Sequence, residues 1–360
     1  MNTNHQRPIA ERVEWLFEHA ARHAAAFATP EVALARQRYQ ARHPTAIAVM
    51  KCMDGRINIP VATGTPLGII QPFRNLGGMF DLGWPHLGEV VAHYVHKQIG
   101  EGRRVLILVT YHFSRGNKQR GCAGFAFDTD AAIAATRQLQ HQIETVFGRD
   151  HGSVYPLICG FETDEDALVL HGENGATLDL ASLDNASGSA ESIYHDLSAR
   201  LAALCPQMPE RIRQDLLPLL AGNLTHIAEV RQSDRAPDIE HREWMICLGR
   251  GFDFLHMPNL ALIVGPYSPQ LSEPIATAAG IIAKNMASGR IPDDGFLLLA
   301  SSPFEEIGSE RARAEMKARF MANFASTVIR ERHPGIAGGM VVQAAVLDWH
   351  TRRLEKIDRE

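Results

Sequence analysis

Short apolar runs recur in the same order in the two halves of this chain, and that repetition constrains the fold most. Each run is about as long as a buried strand, and helical patterns separate the runs, which is typical of a parallel sheet flanked by helices. The runs begin near residues 46, 67 and 105 in the first half and near 244, 261 and 296 in the second. Pro72 follows Cys52 by 20 residues and Pro266 follows Cys247 by 19. We therefore predict an α/β fold with two similar lobes, although two generic strand–helix–strand segments would give comparable spacing.

The same pattern predicts four segments along the chain. They are an N-terminal helical arm (1–44), a first α/β lobe (45–171), a polar connector with helical pieces (172–236) and a second α/β lobe (237–360). The arm is expected because residues 10–27 are amphipathic and a proline at position 30 opens the next helical pattern.

The composition argues against several kinds of partner. The 360 residues are 45% apolar and 21% charged, as in an ordinary globular enzyme, and the formal charge of −5 disfavours binding to nucleic acid or to an anionic membrane. No apolar run approaches the roughly 18 residues of a membrane span. The polar first seven residues do not form a signal peptide, and five cysteines, an odd number, favour reduced thiols. We therefore expect a cytoplasmic protein.

A thiol, a carboxylate and a guanidinium follow the first apolar run directly, in the order Cys52-Met53-Asp54-Gly55-Arg56. The carboxyl edge of an open α/β sheet is where ligands bind. His112 ends the third apolar run, and Cys122 follows it after nine residues. Two thiolates and one imidazole suit a zinc ion that keeps its fourth position for water. Taken singly, each cysteine is more often a small buried side chain and the histidine an ordinary strand end.

Together these motifs resemble the β-class carbonic anhydrases. The matching motifs are Cys-x-Asp-x-Arg at 52–56, Arg-Asn-x-Gly-Gly at 74–78 and a strand-end histidine followed by Cys-x-Gly at 122–124. The class usually has His-x-x-Cys, so the longer gap departs from it. In the second half Gly249, Gly251 and Pro303 stand at the positions of Asp54, Arg56 and His112. One half with the ligands and one degenerate half are closer to the carboxysome shell carbonic anhydrase branch.

The resemblance implies a site, a cofactor and a reaction. It implies one Zn²⁺ per chain, held by Cys52, His112 and Cys122, and reversible hydration of CO2 to bicarbonate by hydroxide on that zinc. This is the activity of a carbonic anhydrase (carbonate dehydratase), a lyase. Asp54 would accept a hydrogen bond from the zinc-bound water, or swing onto the metal in a closed form, and Arg56 would hold Asp54.

Arg74 and Asn75 are candidates for binding the substrate, although a plain turn before Gly77 and Gly78 explains them almost as well. The resemblance also implies that the two lobes pack face to face as an intrachain pseudo-dimer, and we expect a homodimer or a higher homo-oligomer. A carboxysomal member should carry a long N-terminal extension, which this sequence lacks, and this supports the cytoplasmic expectation.

Two other functions remain open at the level of sequence. The same zinc site could hydrolyse CS2 or COS, because these substrates need the same hydroxide attack. The chain could also be a non-catalytic scaffold or binding subunit that zinc stabilises, with the loop between His112 and Cys122 holding the site shut.

Overall fold

The structure is a computed structural model that describes residues 4–150, 152–183, 189–233, 241–255 and 260–358. Two mostly parallel sheets flanked by helices make up the fold, and a helical segment precedes them. The predicted α/β fold class with two lobes and an N-terminal helical arm is confirmed. Among the described helices, none is both long and apolar enough to cross a membrane.

The helices and strands have the following bounds. The α-helices are α1 (Ile9–Phe27), α2 (Pro30–Arg42), α3 (Ile59–Ala62), α4 (Pro85–Gly100), α5 (Thr129–Phe147), α6 (Ala190–Leu204), α7 (Glu210–Arg231), α8 (Ser272–Ala287), α9 (Ser309–Arg332) and α10 (Pro334–Ala337). The β-strands are β1 (Ala46–Cys52), β2 (Ile70–Asn75), β3 (Val105–Phe113), β4 (Val154–Glu162), β5 (Ala167–His171), β6 (Thr177–Asp179), β7 (Met245–Gly249), β8 (Ala261–Val264), β9 (Phe296–Phe304), β10 (Met340–Asp348) and β11 (Leu354–Lys356).

The two sheets share one strand order. The first sheet runs β2-β1-β3-β4-β5-β6, and the second, taken from its other edge, runs β8-β7-β9-β10-β11. In each sheet the first four strands of that order are parallel and the fifth pairs antiparallel to the fourth. Equal order and direction over five strands support the repeat that the spacing predicts, and a common origin of the two halves is our proposal.

The second strand lies further along the chain than the apolar run at 67–71 predicts. β2 pairs with β1 from Ile47 opposite Ile70 to Cys52 opposite Asn75. Pro72 therefore lies inside the strand, where it looks like a breaker in the sequence. It is tolerated because β2 is an edge strand, and an edge strand needs hydrogen bonds on one side only.

The chain divides into two compact units that cut across the sequence. The first unit comprises residues 35–52 and 57–239, and the second comprises residues 1–34, 53–56 and 240–360. The division into four segments remains a prediction, and its boundary at 236/237 falls outside the described residues.

The four residues 53–56 belong to the second unit through β8. Met53 O accepts a hydrogen bond of 2.9 Å from Ile263 N. Asp54 forms an isolated antiparallel bridge with Leu262. The backbone that follows β1 is thus fixed by sheet-like hydrogen bonding.

Helix α1 also belongs to the second unit, through a buried arginine. Arg12 is 0% exposed, forms an ion pair with Asp294 and donates to Gly295 O at 3.1 Å. Its guanidinium lies over the Trp244 ring, 5.3 Å from the centroid. The helix is therefore part of that unit's core.

The region predicted as a connector is regular within the first unit. α6 and α7 pack together, and Asn223 of α7 is fully buried. Its side chain accepts from Leu168 N at 2.9 Å and donates to Ala62 O and Asp166 O at 2.8 Å. These bonds tie α7 to β5 and to the residues after α3.

Candidate metal centre

Cys52, His112 and Cys122 lie together in the first unit. One ligand atom from each lies within 4.8 Å of the other two, and the three side chains are buried. Cys52 ends β1 and His112 is the last residue but one of β3, and these two parallel strands are neighbours in the sheet. The sheet therefore delivers both residues to one edge, and the loop after β3 brings back Cys122.

The donor set fits a zinc ion. Two sulfurs on one tetrahedral zinc lie about 3.8 Å apart, given Zn–S bonds of about 2.3 Å, and Cys52 Sγ lies 4.0 Å from Cys122 Sγ. Neither ring nitrogen of the buried His112 makes a hydrogen bond within the described part of the chain. Buried polar atoms normally have a partner, and a metal would be that partner.

The pKa of the Cys52 thiol also favours a bound cation at this position. The adjacent Cys122, followed by burial, raises the pKa of Cys52 well above its ordinary value, and the nearby His112 only partly opposes this rise. A divalent cation reverses such a shift, because it stabilises thiolates strongly enough to deprotonate a coordinating thiol. Within the described residues, this is the one group of three such side chains.

Glycines let the turns around the ligands approach closely. A Cβ on Gly78, whose φ is +69°, would lie 3.0 Å from Thr110 O and 3.3 Å from Cys52 N. A Cβ on Gly124 would lie 2.8 Å from Gly77 Cα. The Gly-Gly and Cys-x-Gly motifs therefore have a packing reason, because larger residues would push the turns after β2 and after Cys122 apart.

Arg74 and Asn75 end β2 beside the ligand-bearing strand. Their partners in register are Lys51 and Cys52. Both are buried, at 5% and 3% exposure, and Asn75 Nδ2 donates to Met79 O at 2.7 Å. This bond spans the glycine turn, so Asn75 has a structural role in addition to any contact with a substrate.

Asp54 and Arg56 form a buried pair in the second unit. Arg56 Nη2 donates to Asp54 Oδ2 at 2.6 Å, and Arg56 N donates to Oδ1 at 2.9 Å. The side chains are 6% and 4% exposed. An exposed pair would contribute little, whereas breaking a buried pair by removing one partner is costly.

Two further functional candidates, His241 and Glu243, are not predicted by any motif in the sequence. His241 Nε2 lies 3.0 Å from Arg56 Nη2, and His241 Nδ1 lies 3.0 Å from Glu243 Oε1. Asn285 Nδ2 donates to Glu243 O at 3.1 Å and to Oε2 at 3.3 Å. The result is a hydrogen-bonded series Glu243–His241–Arg56–Asp54, in which a fully buried carboxylate supports the arginine through an imidazole.

The charge state of His241 follows from its two neighbours. Burial lowers its pKa, Glu243 raises it, and the net direction is upward. The contact with Arg56 opposes protonation, because a guanidinium can only donate and needs Nε2 as an acceptor. We give this contact more weight than the upward direction of the pKa and assign a neutral imidazole, whose Nδ1 donates its proton to Glu243. Burial raises the pKa of Glu243, but its contact with His241 outweighs burial, and the net direction is downward.

Comparison with known proteins finds a family model that matches part of the chain. Residues 42–215 match the family model "Carboxysome Shell Carbonic Anhydrase, catalytic domain". The predicted resemblance to that branch is confirmed. The match includes β1 to β6 and the three grouped side chains.

Several curated carboxysome shell carbonic anhydrases are similar to the chain. The protein from Prochlorococcus marinus (strain MIT 9313) is 29% identical over 247 residues, which is 59% of this chain and 46% of that protein. The one from Hydrogenovibrio crunogenus is 26% identical over 253 residues (60% and 46%), and the one from Halothiobacillus neapolitanus is 28% identical over 257 (60% and 49%). The chain spans about half the length of these relatives.

These names correct the expected location. The prediction of a plain cytoplasmic protein is wrong, because the relatives are carboxysome shell proteins by name. That prediction used the start of the sequence, and the start of a chain that spans half of its relatives carries no such information.

Proposed function

We propose that this chain is a zinc-dependent carbonic anhydrase that interconverts CO2 and bicarbonate. The observation that carries the proposal is the grouping of Cys52, His112 and Cys122 within 4.8 Å, inside a region that matches a carbonic anhydrase catalytic domain. Two sulfurs and one imidazole leave the fourth position of a tetrahedral site open for water.

The three ligands would hold the ion, which would supply hydroxide near neutral pH by lowering the pKa of a coordinated water. Cys52 and Cys122 bind as thiolates, and the backbone of the glycine turns keeps the two sulfurs in place. Thiolates donate more charge than imidazoles do, so we expect activity to rise towards alkaline pH.

Asp54 has the role of orienting the nucleophile by accepting its proton in a hydrogen bond. It follows the ligand Cys52 by two residues in the chain. Arg56 fixes the carboxylate through donors on its backbone and side chain. His241 and Glu243 keep the guanidinium in the orientation that this pairing needs, so their role is to position Arg56.

Arg74 and Asn75 keep the role of substrate-binding candidates in this proposal. A buried guanidinium beside the end of β1 suits bicarbonate, which is an anion. We also propose that the protein works in association with a carboxysome, in line with the names of its relatives.

Stopped-flow CO2 hydration by the zinc-loaded chain tests the proposal. We expect a rate well above buffer at alkaline pH, lost in Cys52→Ala and in Asp54→Ala. Zinc content separates the two variants, since Cys52→Ala removes a ligand and Asp54→Ala does not. Cys247→Ala is the matched control, because this buried cysteine lies in the second half and should be dispensable. A zinc-loaded chain with no rate above buffer from pH 6 to 9.5 would refute the proposal.

A further inference from the structure

The gap between His112 and Cys122 poses a physical problem. Nine residues separate the two side chains, and the segment is polar with glycines at 116 and 121. Such a loop has many unfolded conformations, so holding its ends in place costs entropy. Yet the ligand atoms of His112 and Cys122 lie within 4.8 Å. Something outside the loop must restrain it.

The turn between β4 and β5 provides that restraint through Glu162. This carboxylate ends β4 and is 1% exposed. Oε1 accepts from Arg115 N and from Asp164 N at 3.1 Å, and Oε2 accepts from Glu165 N at 2.9 Å. One buried side chain therefore fixes its own turn and the start of the loop together.

Asp164 restrains the two loop positions on either side of Arg115, which are Ser114 and Gly116. Ser114 Oγ donates to the Asp164 carboxylate at 2.8 Å, and Gly116 N donates to Oδ2 at 2.7 Å. Thr163 N donates to Phe113 O at 2.8 Å, so the residue directly after His112 is held as well. The turn at 162–165 thus binds the loop at four successive positions, 113 to 116.

The remainder of the loop carries this restraint to Cys122. Asn117 N donates to Ser114 Oγ at 3.0 Å, and Asn117 Oδ1 accepts from Gln119 N at 3.0 Å. Gly121 N donates to Lys118 O at 2.9 Å, which closes a short 3₁₀ turn just before the ligand. Hydrogen bonds therefore run without a break from the acidic turn to the residue before Cys122.

We propose that Glu162 and Asp164 are positioning residues for the metal centre, which hold the 113–121 loop so that Cys122 reaches the ion. The inference rests on the zinc site of the proposed function. Neither carboxylate touches the metal in this proposal. They act through the loop, and their removal should leave the ligand set intact but loosely held.

Zinc release into a chromophoric chelator, from the full-length zinc-loaded chain, tests this. We expect Asp164→Ala to release zinc about 10-fold faster or more, the size typical for groups that orient ligands. Ser114→Ala, which deletes one hydroxyl, should show a smaller increase in the same direction. Asp179→Ala is the matched control, because Asp179 contacts the same loop only through an ion pair with the half-exposed Arg115.

A purely structural role for the turn predicts a different result. It would lower the unfolding temperature of the metal-free chain and leave the release rate of the folded protein unchanged. The visible spectrum of the cobalt-loaded variants gives a second readout, since weaker thiolate ligation changes it. If Asp164→Ala and Ser114→Ala both fold and both show the zinc release rate and cobalt spectrum of the wild type, this inference is overturned. The proposed function is not affected by that result. A wild-type chain that takes up no zinc would overturn the proposed function and this inference with it.

Discussion

β1 and β7 occupy the same place in two sheets of equal strand order, yet only at β1 does the sequence read Cys-x-Asp-x-Arg. After β1 come Asp54 and Arg56, and at the positions that the sequence spacing sets against them the second half has Gly249 and Gly251. Gly249 has a φ of +123°, and a Cβ there would lie 1.9 Å from Ser301 O. Gly251 has a φ of +88°, and a Cβ would lie 2.4 Å from Leu347 Cδ2.

The difference therefore lies in the backbone as well as in the side chains. At Gly249 the backbone packs against β9, and that packing leaves no room for a side chain. The sequence spacing sets Pro303 of β9, which pairs with Leu347 of β10, against His112 of β3. We infer that single substitutions at these two glycines cannot place an Asp–Arg pair in the second half.

The largest expected effect is a difference in zinc content between variants of Cys52 and of Cys247. Cys52→Ala should lower the zinc content from about one ion per chain to near zero, because it removes one of three protein ligands. Cys247→Ala should keep the wild-type zinc content. Metal analysis of the purified variants is the measurement. Retention of zinc by Cys52→Ala, or its loss in Cys247→Ala, would break the comparison.

The second effect tests whether the backbone bars Asp from the second half. Gly249→Asp should lower the free energy of unfolding by about 3 kcal/mol or more, since strain at positive φ and overpacking add. Gly102→Asp is the control: its φ is +75° and nothing lies within 4 Å of a Cβ there. It should cost about 1 kcal/mol. Equal midpoints in urea for the two variants would contradict the inference.

A smaller effect, on the CO2 hydration rate, tests whether Glu243 supports Arg56 of the Cys-x-Asp-x-Arg motif. Glu243→Gln should lower the CO2 hydration rate about 10-fold at unchanged zinc content. The reason is that the hydrogen-bonded series Glu243–His241–Arg56–Asp54 then loses the buried carboxylate at its end. Asn285→Ala keeps the carboxylate and should have a weaker effect. A rate equal to that of the wild type in Glu243→Gln would remove Glu243 and His241 from the site.

The same residue gives a pH dependence of stability. The pKa of Glu243 is lower in the folded chain than the ordinary value of 4.5. A lowered carboxyl pKa stabilises the fold above the unfolded value, and this contribution is lost as the pH falls through the folded pKa. The stability difference between wild type and Glu243→Gln should therefore shrink below about pH 4.5. Urea unfolding at pH 7, 5 and 4 measures it.

The smallest effect is expected at the surface of the 113–121 loop, which has no equivalent between β9 and α9. Arg115 pairs with Asp179, and its side chain is 44% exposed. Exposed pairs contribute about 0–1 kcal/mol, so Arg115→Ala should leave zinc content and unfolding midpoint nearly unchanged. A large loss of zinc in this variant would mean that the ion pair at the surface holds the 113–121 loop in place, and not the hydrogen bonds to its backbone.

Local sequence patterns predict the strands that carry Cys52 and His112 and their order of succession. Apolar runs ending in Cys52 and His112 predicted neighbouring parallel strands with side chains at one edge. The second strand was misplaced, because Pro72 interrupts an apolar pattern that is permitted at a sheet edge. The packing of Gly78 on Cys52 N could not be foreseen from two adjacent glycines, since many turns contain them.

The support of Arg56 by His241 and Glu243 could not have been predicted from the sequence. These residues lie 185 and 187 positions after Arg56 in the chain, in a stretch without periodicity. Contacts between such distant residues depend on how whole elements pack, and no local propensity encodes them. A His-x-Glu triplet before a strand is too common to serve as a signal.

Helix α1 leaves the ribosome long before the residues that it packs against. The His19 ring contacts Phe254 O at 2.7 Å, 235 residues further on, and Arg352 lies over Phe27 at 5.2 Å. At about 5–20 residues per second, the helix waits at least on the order of ten seconds before Phe254 is made. The contacts that join α1 to the rest of the second unit can therefore form only after Phe254 and Arg352 have been made.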